Sequence, residues 1–108
     1  MQLKVQIDDN AYAIDVPPDL MREAGEFFAK MDRDMDRGWQ MSRDYVDHPN
    51  VEQRCQIVAD KLLTALMNDK KNTAIMMAGY ILSRMPGASE VDIDTSGEMQ
   101  NTAIIVAR

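Results

Sequence analysis

The sequence predicts an α+β fold, in which a small antiparallel sheet carries helices on one of its faces. Two observations lead to this prediction. Segments with alternating apolar and polar residues stand at both ends of the chain, and segments with apolar residues at helical spacing lie between them. A chain of 108 residues is long enough for one core and too short for two, so residues 1–108 are expected to form a single domain.

The first predicted element is a β-hairpin over residues 2–16. A two-residue turn at Asp9-Asn10, where both residue types tolerate positive φ, places Ile7 opposite Tyr12. In this register all the large apolar residues of the hairpin face the same side: Leu3, Val5, Ile7, Tyr12, Ile14 and Val16.

Three helices are predicted next, at about residues 18–46, 50–68 and 72–85. Pro18 suits the first turn of the first helix, and Asn50 with Gln53 has the spacing of a capping box at the start of the second. Pro86-Gly87 ends the third. Residues 90–107 alternate less clearly and predict a pair of short strands, which either join the N-terminal hairpin in one sheet or pair across a dimer.

The spacing of Asp32, Asp34 and Asp36 resembles the opening of a calcium-binding loop. In such a loop the sixth position is glycine and the twelfth is a bidentate glutamate, but here both positions are arginine, Arg37 and Arg43. On a helix the first and third of these aspartates lie side by side and the second points away. We therefore interpret the stretch as the acidic side of a helix.

The third predicted helix is apolar on nearly every side, which is typical of a helix that is buried all round. A single small domain has little material with which to surround such a helix, so we expect part of it to contact another subunit. The candidate interface residues are Ile75, Met77, Tyr80, Ile81 and Trp39.

Charge and composition disfavour several functions. The formal net charge of −6 comes without a basic stripe, so nucleic-acid binding is not expected. The longest apolar run is far shorter than the roughly 20 residues that a membrane span needs, so no membrane association is expected. Cys55 is the single cysteine, which excludes an internal disulfide and fits a reducing cytosol, and the N-terminus lacks a signal-peptide pattern. A cytoplasmic location is expected.

Few residues suggest chemistry. Asp44, Asp47 and His48 are weak candidates for a metal site or a general base, and a solvated turn at a helix exit is the simpler interpretation. Cys55 lies on an apolar helical stripe, as a buried structural thiol does. The ten methionines suit cores and adaptable interfaces better than Cu(I) ligation. No catalytic constellation, metal or cofactor is predicted, and an enzyme is not expected.

The segments "VQIDDNAYAIDVPPD" and "NVEQRCQIVADKLLTAL", separated by a charged helix, resemble the ZapA-like bacterial cell-division proteins over about residues 3–68. Members of that family open with a short hairpin and enter a helix through a proline-containing turn. The resemblance implies a non-enzymatic oligomer that binds and bundles the tubulin-like division protein. The family's long coiled-coil second half has no counterpart here, because Pro86-Gly87 stops the helix.

Together these features predict a non-catalytic, self-associating module for protein–protein interaction, with a homo-oligomer and a possible protein partner. Its apolar third helix and acidic first helix are the expected contact surfaces. The alternative is a module that binds a small ligand or a metal, or a minor subunit of an enzyme complex. An acidic mimic of nucleic acid is a further alternative, and the arginines interspersed on the first helix count against it.

Overall fold

The computed structural model describes residues 1–107, which form six strands and four α-helices. In chain order these are β1 (Gln2–Ile7), β2 (Asn10–Asp15), α1 (Pro18–Glu23), α2 (Gly25–Asp36), β3 (Trp39–Met41), β4 (Asp44–Val46), α3 (Val51–Met67), α4 (Lys71–Arg84), β5 (Ala88–Ile93) and β6 (Ala103–Val106). A 3-10 turn at Met99–Asn101 lies between β5 and β6. The α+β class predicted from the sequence is confirmed.

The main sheet has the strand order β2-β1-β5-β6. The pairs β1–β2 and β5–β6 are antiparallel, but β1 and β5 run parallel, so the prediction of a purely antiparallel sheet is wrong at its centre. A parallel pair needs a long crossover, and the four helices between β2 and β5 provide it. The C-terminal strands thus join the N-terminal hairpin in one sheet.

The N-terminal hairpin is present, but its turn lies at Asp8-Asp9 rather than at Asp9-Asn10. Ile7 stands opposite Asn10 and Val5 stands opposite Tyr12. Asp8 has φ 53, which an aspartate in a tight turn tolerates. Because the register differs from the predicted one by two residues, the same side chains still point toward the core.

The first predicted helix, at about residues 18–46, is wrong in its second half. It is divided at Ala24 into α1 and α2 and ends at Asp36, and the antiparallel hairpin β3–β4 follows. Gly38 reverses the chain at φ +102, and a Cβ there would collide with the Tyr45 hydroxyl. That hydroxyl donates to the backbone oxygen of Arg37 at 2.9 Å, so the turn and the hairpin hold each other.

Helices α3 and α4 lie within one residue of their predicted bounds at each end. At the start of α3 both capping-box bonds form: the Gln53 N–H donates to Asn50 Oδ1 at 2.8 Å, and the Asn50 N–H donates to Gln53 Oε1 at 2.9 Å. The two helices cover one face of the sheet, with α3 over β5 and β6 and α4 over β2. The opposite face is exposed at Lys4, Ala13 and Asp92.

The part of helix α4 from Met77 to Leu82 is enclosed within the chain, because α1 and α2 pack on the side that the sheet and α3 leave open. Gly79 allows this approach, since a Cβ at that position would lie 3.1 Å from the Phe28 ring. Met77, Tyr80 and Ile81 are 5%, 0% and 0% exposed. These three residues of the predicted interface belong to the core, and the physical reason is the helical layer that folds over them.

Candidate functional site

Strand β2 is an outer strand of the sheet. The hydrogen bonds between Met1 and Val16, next to its C-terminal end, show which residues of β2 bond to β1 and which face outward. Val16 donates to the Met1 oxygen at 2.6 Å, and the Met1 ammonium donates to the Val16 oxygen at 2.9 Å. Hydrogen-bonded pairs alternate with non-bonded pairs along an antiparallel ladder. Ala11, Ala13 and Asp15 therefore direct their backbone N–H and C=O groups away from β1, toward the open side.

No other segment of residues 1–107 pairs with this open side of β2. Natural sheets commonly protect such an edge with lysine, proline or a bulge. The strand Asn10–Asp15 reads NAYAID and contains neither residue, and its pairing with β1 is regular. The edge is therefore competent to accept another strand.

A groove of about 720 Å³ runs beside this edge. One wall is β2, and the other is built from the end of α3, the α3–α4 connection and the start of α4. Its lining is mainly apolar, with Tyr12 on one side and Leu66 and Ile75 on the other. Tyr12 is 42% exposed, unlike its strand neighbour Ile14, because nothing in the described chain covers it from the groove side.

The charged residues of the groove balance. Asp15 and Asp69 are acidic and Lys70 and Lys71 are basic, so two negative and two positive charges sum to zero. The chain as a whole carries −6. The groove is thus a neutral, apolar region on an acidic protein.

A second candidate is a cluster of charged side chains around Asp32, where α2, α3 and α4 meet. Asp32 Oδ1 accepts from the Tyr80 hydroxyl and from Arg54 Nη1 at 3.4 Å. Asp32 Oδ2 accepts from Arg84 Nε at 2.9 Å and lies 2.7 Å from Arg84 Nη2. Arg54 also donates to the Asp36 carboxylate at 2.7 Å and to the Pro49 oxygen at 2.8 Å. The positioning of Asp32 and Asp36 on one side of the helix agrees with the sequence, and Asp34 instead pairs with Lys30.

The electrostatics of this cluster fit a structural role. Burial acts to raise the pKa of Asp32, but the hydrogen bonds from Tyr80 and Arg84 and the Arg84 charge outweigh it, so this pKa lies below its ordinary value. Burial, followed by the hydrogen bond to Asp32, raises the pKa of Tyr80. Burial also raises the pKa of the nearby Cys55 thiol to about 12. Cys55 is therefore protonated at neutral pH, which is the opposite of what a nucleophile needs.

A smaller pocket of about 240 Å³ lies between α2 and β3. Its apolar lining is Phe27, Met31, Met35, Trp39 and Met77. Lys61 lies over the Trp39 ring, with its ammonium 4.8 Å from the ring centroid, and it forms no ion pair within 4 Å in the described chain.

The weak metal candidates from the sequence are all exposed. Asp44 accepts from Gln100 Nε2 at 3.2 Å. Within the part of the chain that the structure describes, Asp44, Asp47 and His48 do not belong to any group of three or more such side chains that could hold a metal ion. The same part of the chain contains no helix long and apolar enough to cross a bilayer.

Of the residues proposed from the sequence as an interface, Ile75 lines the β2 groove and Trp39 lines the smaller pocket. The sequence reasoning missed the β2 edge. A signal was available: Ala11 and Ala13 occupy the solvent face of a strand that carries neither lysine nor proline.

In comparisons with known proteins, no family model matches the chain, and no significant match was found among curated proteins or solved structures.

Proposed function

We propose that this protein is a non-catalytic, self-associating interaction module that works through the open edge of β2 and the groove beside it. The observation that supports this function is the combination of unpaired strand backbone and an apolar groove at one place. Backbone groups give a strand-adding site its affinity, and the adjoining pocket selects side chains.

Two contributions would favour the binding of an incoming strand. Each net hydrogen bond contributes on the order of 0.5–1.5 kcal/mol. Burial of apolar surface adds about 25 cal/mol per Å², and Tyr12, Leu66 and Ile75 supply such surface in the groove. An extended segment that pairs with Ala11, Ala13 and Asp15 would gain both contributions at once.

Sedimentation velocity over a wide range of protein concentration tests this function. The wild-type chain is expected to shift from monomer to a larger species as concentration rises. Ala13→Pro removes one outward N–H at a position where an edge strand tolerates proline, so it should weaken association at least tenfold. Ala13→Ser keeps the N–H and is the matched control. A wild-type chain that stays monomeric at every concentration would overturn the proposal.

The pocket between α2 and β3 supports a second candidate function, binding of a small apolar carboxylate. Lys61 offers a cation without a carboxylate partner in the described chain, beside an apolar lining that includes the single tryptophan. Lys30 and Asp34, which pair with each other, also line this pocket. Octanoate should then change Trp39 fluorescence in a saturable way, whereas octanol should not. If Lys61→Met leaves the octanoate response unchanged, the charge plays no part and this candidate fails.

A role in bacterial cell division, with a tubulin-like partner, is the more specific proposal that the resemblance over residues 3–68 supports. It is tested by co-sedimentation of the purified chain with filaments of that division protein. Ala13→Pro serves as the matched comparison, because loss of co-sedimentation in this variant would link partner binding to self-association. A wild-type chain that stays in the supernatant would remove the cell-division proposal and leave the interaction module intact.

A further inference from the structure

The geometry points to a second copy of this chain as the occupant of the groove, with the two β2 strands antiparallel about a twofold axis centred on Ala13. This inference rests on the proposed function and adds the partner, the register and the symmetry. The resulting assembly is a closed dimer whose two sheets join into one continuous sheet.

The register follows from which residues of β2 face outward. Ala11, Ala13 and Asp15 carry the open backbone groups, and Ala13 is the middle one. When the axis passes through Ala13, Ala13 pairs with its own counterpart and Ala11 pairs with Asp15 of the other copy. Each of the three residues then donates one hydrogen bond and accepts one. An axis at Tyr12 or Ile14 leaves one of the three without a partner inside the strand.

The same register brings suitable side chains together. On the groove side, Tyr12 of each copy stands opposite Ile14 of the other, and an aromatic residue beside a β-branched residue is a favourable cross-strand pair. On the solvent face the pairs are Ala13 with Ala13 and Ala11 with Asp15, so no like charges oppose each other. Tyr12, which is 42% exposed in the single chain, becomes covered.

Charge permits this face to serve as a contact between identical chains. Two copies that each carry −6 repel one another wherever acidic surfaces meet. The β2 groove has zero formal charge, with Asp15 and Asp69 balanced by Lys70 and Lys71. Bringing two such faces together therefore adds no net repulsion between them.

Strand direction distinguishes this arrangement from an open chain of copies. Since β2 is antiparallel to β1, β1 is parallel to β5, and β5 is antiparallel to β6, strands β2 and β6 point the same way. Joining β6 of one copy to β2 of the next would thus make a parallel pair, which is slightly less stable per residue than an antiparallel one. β6 is also short, and a bulge between Ala88 and Glu90 interrupts its pairing with β5.

Cysteine cross-linking of the full chain tests the register, because the native Cys55 is 0% exposed and does not compete. Hydrogen-bonded antiparallel pairs have Cα atoms about 5.5 Å apart, which is within disulfide range. Ala13→Cys should therefore form a covalent dimer when oxidised with copper phenanthroline. Ala11→Cys is the matched control, since its counterpart lies roughly 13 Å away, four residues along the strands.

A mixture gives an independent measurement of the same register. Asp15→Cys alone and Ala11→Cys alone should stay monomeric on a non-reducing gel, and an equimolar mixture should yield a mixed disulfide dimer. Sedimentation of the reduced variants is measured in parallel. A dimer by sedimentation in which Ala13→Cys does not cross-link overturns this register and leaves the proposed function standing. A ladder of higher species, or cross-linking of Ala11→Cys to itself, also overturns it. A monomer at all concentrations overturns the proposed function as well.

Discussion

The Asp32 cluster and the β2 edge differ in where their polar groups find partners. Asp32 accepts from Tyr80, Arg84 and Arg54, so the charges of the cluster are neutralised inside the chain. At the β2 edge the outward positions are Ala11, Ala13 and Asp15, and their backbone groups have no partner within residues 1–107. A cluster of charges can thus be satisfied entirely within the fold, whereas a strand with a single charge leaves its backbone groups open.

The largest expected effect comes from neutralising the centre of the cluster. Asp32→Asn leaves Arg84 and Arg54 facing an uncharged side chain in a partly buried site, which should lower the free energy of unfolding by about 2–4 kcal/mol. Urea unfolding followed by circular dichroism measures this loss. Asp34→Asn is the matched control, because the Asp34 side chain is 59% exposed and its one ion pair within residues 1–107 is with Lys30. The cost of this substitution should stay below about 0.5 kcal/mol. If Asp32→Asn and Asp34→Asn lower the free energy of unfolding equally, the Asp32 cluster has no special role in stability.

Low pH should reduce the difference in unfolding free energy between wild type and Asp32→Asn. The pKa of Asp32 lies below its ordinary value in the folded chain, because the hydrogen bonds of Tyr80 and Arg84 outweigh burial. The folded state therefore binds fewer protons than the unfolded state, and the stability that Asp32 provides is complete above its ordinary pKa and is lost as pH falls through the folded-state pKa.

The measurement is urea unfolding of wild type and Asp32→Asn from about pH 7 to about pH 2.5. The gap between the two proteins should narrow toward the acid end. Asp94, whose pKa is also lowered by its Ser96 hydrogen bond, is present in both proteins and cancels from the difference. A gap that stays constant across this range would mean that the Asp32 charge does not stabilise the fold.

A smaller effect is expected from removing only the hydroxyl of the cluster. Tyr80→Phe keeps the ring and its edge-to-face contact with Phe28, at a centroid distance of 6.0 Å, but it removes the donor to Asp32. The free energy of unfolding should fall by about 1–2 kcal/mol relative to wild type. On the Asp32→Asn background, Tyr80→Phe should lower the free energy of unfolding by clearly less than that. Additive losses would contradict a direct bond between the two groups.

The sequence predicted the local elements well where their signals are local. The capping box at Asn50 and Gln53 predicts the start of α3, and Pro86-Gly87 predicts the end of α4, each within one residue. The alternation of apolar and polar residues predicts the hairpin whatever its register. It does not fix the turn, because Asp and Asn both tolerate positive φ.

Tertiary effects explain the other errors. The helix predicted to reach residue 46 stops at Asp36 because Gly38 reverses the chain and Tyr45 locks the turn, a contact that no local pattern shows. Parallel pairing of β1 with β5 joins segments that lie at opposite ends of the chain. The sequence likewise identified Asp32 and Asp36 as helical neighbours but gave no sign that Arg54 and Arg84 would meet them.

The smallest effect addresses the edge directly. In the proposed register Ala13 faces its own counterpart, so Ala13→Lys and Ala13→Glu each place like charges opposite one another in a homodimer. Directly opposed charges in a cross-strand pair are worth about 0.2–1 kcal/mol, which corresponds to a dissociation constant raised by up to about fivefold. Both variants should unfold as wild type does at concentrations where all are monomeric, because Ala13 is exposed.

A mixture of the two Ala13 variants tests this last prediction against the effect of either variant alone. An equimolar mixture of Ala13→Lys and Ala13→Glu brings opposite charges together and should associate more tightly than either variant alone, as measured by sedimentation velocity. The same pair of substitutions at Ala103, on the exposed face of β6, should leave association unchanged. If the Ala103 variants respond and the Ala13 variants do not, the edge of β6 is the contact and the roles assigned to the two edges of the sheet are reversed.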